Sequence, residues 1–286
     1  MINLGVRAHD LKISDPLELA KEIEKYGFTS IQLALHKVLP DFDNFGPRLT
    51  PGFGNYMRDI FGNHNINISI LGCYINPIHP DMEIREKSLR RFEEHLRFAR
   101  DFGCPVVATE TGSCNPDCSY SPETEKEEAF LEFVDVIKRL TYTAERYGVI
   151  VGIEGVNPHN TINTHERMVR LLDMVHSPNV QVVYDPANFI PPDQGEKHEE
   201  NIKEAFELFG HNIVCIHAKD FSVHNGQKNT GLPSGKGQMN YPYLFRLLKK
   251  HSPGIHVLLE NNTPEIMGET VAFVRKIDKE TITHRS

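Results

Sequence analysis

Glu154, Asp185, His217 and Glu260 each end a hydrophobic run, and together they have the composition of a divalent-metal site. The runs are Val149-Ile150-Val151-Gly152-Ile153-Glu154, Val180-Gln181-Val182-Val183-Tyr184-Asp185, Ile213-Val214-Cys215-Ile216-His217 and His256-Val257-Leu258-Leu259-Glu260. Their last residues are 31, 32 and 43 positions apart, room for a strand, a helix and two loops. Taken singly, a strand-end carboxylate more often caps the next helix, as Asp185 before Pro186 would, and a lone His is more often hydrogen-bonded in a core. The four on consecutive strands are harder to explain that way. Three carboxylates packed together in a low dielectric repel strongly, so a cation joins them or some stay protonated. A dication takes their formal charge from -3 to -1, since three carboxylates contribute -3 and the ion +2. Oxygen ligands with one imidazole suit Mn²⁺ or Mg²⁺, with Co²⁺ or Zn²⁺ also compatible.

Such a site needs elements that bring the four tips together. Strand-like runs begin near Ile2, Thr29, Ile66, Cys104, Gly148, Asn179, Ile213 and Ile255. Amphipathic segments separate them. One covers 16–26 after Ser14-Asp15, with Pro16 at the first turn. Others cover 81–102, then 122–146 from Ser121-Pro122-Glu123, then Thr164 to Val175; the last starts at Thr263-Pro264-Glu265. Eight alternations of strand and helix predict an α/β fold, a (β/α)8 TIM barrel, as one domain over residues 1–286. The C-terminal strand ends of such a barrel meet at one mouth, where active sites lie. Two long segments stand out. Phe221 to Asn240 is read as the longest irregular insert and a lid; Leu39 to Asn55 is rich in Pro, Gly and Phe.

Side-chain parity predicts which groups face the axis. Glu154 shares a face with Ile150 and Gly152, Asp185 with Gln181 and Val183, His217 with Cys215 and Lys219, and Glu260 with His256 and Leu258. Asn3, Gly5, Arg7 and His9 group in the same way on the first strand. Lys219, by its parity with His217, and Arg7, His9, Asn76, Glu110, Asn157 and Asn188, near predicted strand ends or in the loops after them, are candidates for binding substrate hydroxyls or a phosphate, with ordinary loop hydrogen bonding as the rival role for each.

Hydrophobic content of 39% and charged content of 24% describe an ordinary globular chain. A net charge of -8 argues against non-specific nucleic-acid binding. No apolar stretch reaches the roughly 20 residues of a membrane span, and the N-terminus does not resemble a signal peptide. A cytoplasmic protein is expected, with no membrane partner. Five cysteines are an odd number for a disulfide framework. Cys114 and Cys118 lack a second ligand pair, so free thiols are favoured over a zinc site.

Ile153-Glu154-Gly155-Val156-Asn157, Tyr184-Asp185-Pro186-Ala187-Asn188, His217-Ala218-Lys219-Asp220 and Leu259-Glu260-Asn261 closely resemble the xylose-isomerase-like barrels. The likeness is to their sugar isomerase and epimerase group, which includes tagatose and psicose 3-epimerases, and Gly235-Lys236-Gly237 adds to it. The resemblance runs from Gly5-Val6-Arg7 to Glu260 and implies one divalent metal ion on Glu154, Asp185, His217 and Glu260. It also implies a small carbohydrate substrate and a homo-oligomer. Departures lie in the sugar-binding shell. Asn160 stands where the 3-epimerases carry a Glu, Asn188 where they carry a His, and Val223 where they carry an Arg.

The expected chemistry is sugar epimerisation or aldose–ketose isomerisation. Glu154 and Glu260 are the expected catalytic pair. One removes a proton beside a carbonyl to give a metal-stabilised enediolate, and the other returns a proton. Rivals are an inosose-dehydratase-like lyase on the same metal core, an endonuclease-IV-like repair enzyme and a non-catalytic sugar-binding barrel. The repair enzyme is disfavoured because Asn188 and the strand-four end Ala108-Thr109-Glu110-Thr111 lack its added His ligands.

Overall fold

The structure is a computed structural model that describes residues 2–39 and 49–281. Its strands are β1 (Asn3–Arg7), β2 (Ser30–Leu33), β3 (Asn67–Gly72), β4 (Val106–Glu110), β5 (Ile150–Glu154), β6 (Val180–Tyr184), β7 (Ile213–Ala218), β8 (Asp220–His224), β9 (Gln227–Leu232) and β10 (His256–Leu259). The helices are α1 (Pro16–Lys25), α2 (Leu35–Val38), α3 (Pro51–Gly62), α4 (Met82–Phe98), α5 (Glu127–Tyr147), α6 (His165–Val175), α7 (Pro186–Phe189), α8 (His198–Phe209), α9 (Tyr241–His251) and α10 (Pro264–Glu280). Eight parallel strands close in the order β1-β10-β7-β6-β5-β4-β3-β2, the expected (β/α)8 barrel. Closure pairs the first strand with the last, Val6 opposite Leu259.

Local chemistry explains most helix starts. The Asp15 carboxylate accepts the N–H groups of Leu17 and Glu18 at 3.0 and 2.9 Å, and Thr164 accepts that of Arg167 at 3.2 Å. The expected start at Ser121-Pro122-Glu123 is corrected. It opens only a short 3₁₀ turn, Pro122–Glu125, and α5 begins at Glu127 beyond an extended Lys126. Tertiary bonds hold that turn apart from the helix. Thr124 accepts the Cys114 N–H at 2.9 Å through its hydroxyl and Arg167 Nη1 at 3.1 Å through its carbonyl.

The insert from Phe221 to Asn240 is also corrected. Most of it is an antiparallel hairpin, β8 with β9, turned at Asn225-Gly226. Both turn residues have positive φ, 51° and 74°, the backbone that an Asn-Gly hairpin turn requires. Of the segment Leu39 to Asn55, residues 40–48 lie outside the described residues, and from Pro51 onward the chain is already helix α3.

Two apolar layers build the barrel. The large cluster lies between strands and helices. A small one fills the lower interior with Ile70, Val106, Ala108, Val183, Cys215 and Leu258. Val183, Cys215 and Leu258 stand two residues before Asp185, His217 and Glu260, so each strand turns an apolar side chain inward below and a polar one above. Gly5 leaves room for this packing: a Cβ there would lie 2.3 Å from Ser30 Oγ and 2.6 Å from Leu258 Cδ2. Among the described residues no helix is long and apolar enough to cross a membrane.

Candidate metal centre

Glu154 is the last residue of β5, Asp185 follows β6, His217 lies near the end of β7, and Glu260 follows β10. All are buried, and each offers a ligand atom within 4.8 Å of the other three. His217 Nδ1 is 3.1 Å from Glu154 Oε1 and 3.4 Å from Glu260 Oε2. Both ring nitrogens of His217, Asp185 Oδ2 and Glu260 Oε2 are buried without a directed hydrogen bond. Native structures rarely leave buried polar atoms unpaired. Converging orphans of this kind fit a cation that takes up their lone pairs.

The chain also brings positive charge. Lys219 Nζ lies 2.8 Å from Asp185 Oδ2, though not directed along a hydrogen bond, and 3.2 Å from Glu260 Oε1. Arg7 Nη1 donates to Glu260 Oε1 at 2.6 Å, while its Nε and Nη2 reach Asp10 Oδ1 at 3.1 Å and Asn261 Oδ1 at 3.0 Å. Three carboxylates with Lys219 and Arg7 sum to -1, taking His217 as neutral, so a dication would leave +1. That differs from the -3 of the sequence reading, because β1 and the end of β7 converge on the same mouth.

Burial raises the Asp185 carboxyl to about 6 against the pull of Lys219, with Glu260 and Glu154 adding to the rise. Burial acts the same way on Glu260, but Lys219, Arg7 and His217 outweigh it and hold that carboxyl well below its usual range. Burial opposes the charged form of Lys219; Asp185, Glu260 and Glu154 reverse this and keep its ammonium well above the ordinary value. For His217, burial is likewise overcome by Glu154, Glu260 and Asp185, and the imidazole is raised. Asp185 thus ionises at higher pH than Glu260.

The other candidates divide by contact. Asn188 Nδ2 donates to Glu154 Oε1 at 3.0 Å and its backbone N–H to Asp185 Oδ1 at 3.3 Å, so it holds two members of the cluster. Arg7 and Lys219 bind the carboxylates directly. Glu110 pairs in register with Glu154, accepts Asn160 Nδ2 at 3.4 Å, and is raised by burial and by Glu154. His9 sits in a 3₁₀ turn after β1, where burial and then Arg7 push it down to about 3 and leave it neutral. The Asn76 and Asn157 amides are not brought to the cluster. Asn76 Nδ2 braces the carbonyls of Ser113 and Asn115, each at 2.9 Å, and Asn157 Nδ2 donates to Asn163 O at 3.0 Å.

Sequence reasoning missed Tyr74. Its hydroxyl accepts Gln32 Nε2, and desolvation, Glu154 and Glu260 raise the phenol well above its usual value. The parity of Ile70 and Gly72 would have pointed to it. It lines a cavity of about 380 Å³ beside the cluster, with Lys37, His79, Arg91 and Glu110. Gly235-Lys236-Gly237 plays a structural part. A Cβ on Gly237 would lie 2.2 Å from Phe221 O, and exposed Lys236 pairs with Glu269 at 2.6 Å.

A closed parallel barrel with a buried carboxylate–imidazole cluster at its mouth defines the class. The chain belongs to the xylose isomerase-like TIM barrel family, whose description matches residues 20–277. A human protein carrying the name "Putative hydroxypyruvate isomerase" is 25% identical over 160 residues, which are 55% of this chain and 53% of that one. The chain therefore spans about half the length of this curated relative. The IOLI protein, solved with a binding zinc atom, superposes with a TM-score of 0.74 at 20% identity over 99% of this chain and 98% of that one. A D-tagatose 3-epimerase-like protein gives a TM-score of 0.74 at 16% identity, over 100% of both chains. At these identities the two structures share the fold with this chain.

Proposed function

We propose that the chain acts, as one barrel over residues 1–286, as a metal-dependent isomerase or epimerase of a small sugar or sugar phosphate. The observation that carries this is the buried meeting of Glu154, Asp185, His217 and Glu260 within 4.8 Å, with polar atoms left unpaired. These four residues would hold one divalent cation. When bound, it supplies Lewis acidity toward a carbonyl and a neighbouring hydroxyl of the substrate.

The chain's own groups then move the proton. One of Glu154 and Glu260 takes the proton from the carbon beside the carbonyl, and the C–H electron pair becomes the enediolate double bond. The other carboxyl returns a proton. Return to the opposite face of that carbon inverts it; return to the neighbouring carbon exchanges aldose and ketose. Arg7 and Lys219 grip Glu260 through Oε1, which leaves Oε2 facing the cluster. Asn188 steadies Glu154 through Oε1 in the same way. Asp185 and His217 hold the ion and transfer no proton. Neutral His9 and the Tyr74 hydroxyl offer uncharged groups for substrate oxygens.

The test is elemental analysis of the purified protein, then a panel of sugars and sugar phosphates in D₂O followed by NMR. The expected result is one divalent ion per chain and solvent deuterium at one substrate carbon. A product lighter by one water would assign a lyase instead. A metal-loaded protein that exchanges no C–H across the panel would overturn the enzyme reading.

A further inference from the structure

The hairpin β8–β9 is tied to the cluster through one ammonium. Lys228 Nζ lies 2.7 Å from Ile190 O, 3.1 Å from Asn188 O, 3.3 Å from Ala187 O and 3.4 Å from Asn157 O. An ammonium has three hydrogens and no acceptor, so these carbonyls share its donors as a compact cage. They belong to the segments that follow β5 and β6. Among the described residues no carboxylate pairs with Lys228; Asp185 and Lys219 are the charged groups whose fields reach it. On the other flank of β9, Thr230 O accepts Asn261 Nδ2 at 2.9 Å, and Asn261 Oδ1 accepts Arg7 at 3.0 Å. The strand is thus stitched across the mouth from the β5 and β6 loops to the end of β10.

Asn188 is the junction. Its carbonyl accepts Lys228 and the Asn157 N–H at 3.1 Å. Its own N–H and side-chain amide turn the other way, to Asp185 and Glu154. A peptide group is planar, so the Ala187 carbonyl held by Lys228 fixes the plane that carries the Asn188 N–H, while the Asn188 carbonyl anchors that residue from its other side.

We propose that Lys228 is a positioning residue of the centre: its carbonyl cage clamps the hairpin to the Asn157 and Asn188 segments and so fixes the Asn188 groups that hold Glu154 and Asp185. The proposal rests on these carboxylates being ligands. Lys228 touches no reacting atom. It aims a neighbour of the ligands from behind, and such orienting groups typically cost about 10–100-fold in metal affinity when removed.

The experiment compares wild type, Lys228→Met and Lys228→Arg as metal-free full chains. Hydrogen exchange is read over residues 186–190 and 220–232, and Mn²⁺ binding by calorimetry. Charge and position give opposite signs. Removing a cation near three carboxylates should tighten Mn²⁺, whereas losing the clamp should weaken it. The expected result for Lys228→Met is lost protection in both segments and Mn²⁺ affinity lower by about tenfold. Lys228→Arg keeps the charge, but a planar guanidinium cannot meet a cage built around a point, so it stays weakened. Unchanged exchange at 186–190 overturns the proposal, as does Mn²⁺ bound equally or more tightly by Lys228→Met, or full recovery in Lys228→Arg without protection. If the wild type takes up no Mn²⁺, the metal reading falls, and exchange at 186–190 alone decides the clamp.

Discussion

Lys219 offers the sharpest test of the electrostatics. Its ammonium is buried 2.8 Å from Asp185 and 3.2 Å from Glu260, where in the metal-free chain it supplies part of the charge that an ion would otherwise bring. At an effective dielectric of about 20, a pair at roughly 4 Å is worth about 4 kcal/mol, and desolvation offsets much of it. Removing one partner of a buried pair costs about 3–5 kcal/mol, because the other charge is left behind. Unfolding entropy near 2.1 cal/mol/K per residue gives about 0.6 kcal/mol/K for this chain length. Lys219→Met should therefore lower the metal-free melting temperature by about 5–8 °C. The same change removes a cation that repels an incoming dication, so Mn²⁺ affinity should rise by at least about tenfold. Added Mn²⁺ should then recover most of the lost stability. Thermal unfolding in chelator and in Mn²⁺, with calorimetric titration, reads both effects. A metal-free variant that melts within about a degree of wild type, or one that binds Mn²⁺ no more tightly, would refute the argument.

Four further outcomes are expected. Glu154→Gln and Glu260→Gln should each lower kcat by about 10²–10⁴-fold with an unchanged circular dichroism spectrum; near-normal turnover in either one removes it from proton transfer. Asp185 is raised from its usual 3.8 to about 6, so Mn²⁺ affinity should fall as pH drops through about 6, where the proton competes for the ligand. In the metal-free chain the raised value favours the folded state below about 4, and this contribution is lost as pH rises through about 6, so wild type should lose stability relative to Asp185→Asn across that window; parallel pH–stability curves would contradict it. Gly237→Ala places a Cβ 2.2 Å from Phe221 O and 2.4 Å from Asp220 Oδ1. It should cost about 1–3 kcal/mol, read as a lower urea midpoint, and an unshifted midpoint would show that the hairpin base is not tightly packed.

The strands and their inward faces were legible because they follow from local rules. Alternation along a strand needs only neighbouring residues, and polar tips above apolar neighbours repeat in β6, β7 and β10. Helix starts at Asp15 and Thr164 were legible for the same reason, since the capping group and the N–H it accepts are two or three residues apart. Ser121 failed because tertiary bonds to Cys114 and Arg167 hold its turn. The hairpin had a local signal in Asn225-Gly226, which the overall irregularity of the segment masked.

The order of residues along this chain determined the alternation of strand and helix, the parity that turns Glu154, Asp185, His217 and Glu260 inward, and hence the kind of ion that suits them. Only the tertiary structure decided the charge around the four-residue cluster and which polar groups remain free. Arg7 meets Glu260 across 253 residues when the first and last strands pair, and Lys228 reaches Asn188 across 40. Periodicity reports which face a side chain takes, but electrostatic and hydrogen-bond partners are set by distance in space. In a closed barrel that distance is decided by strand register, for which a single sequence carries little local signal.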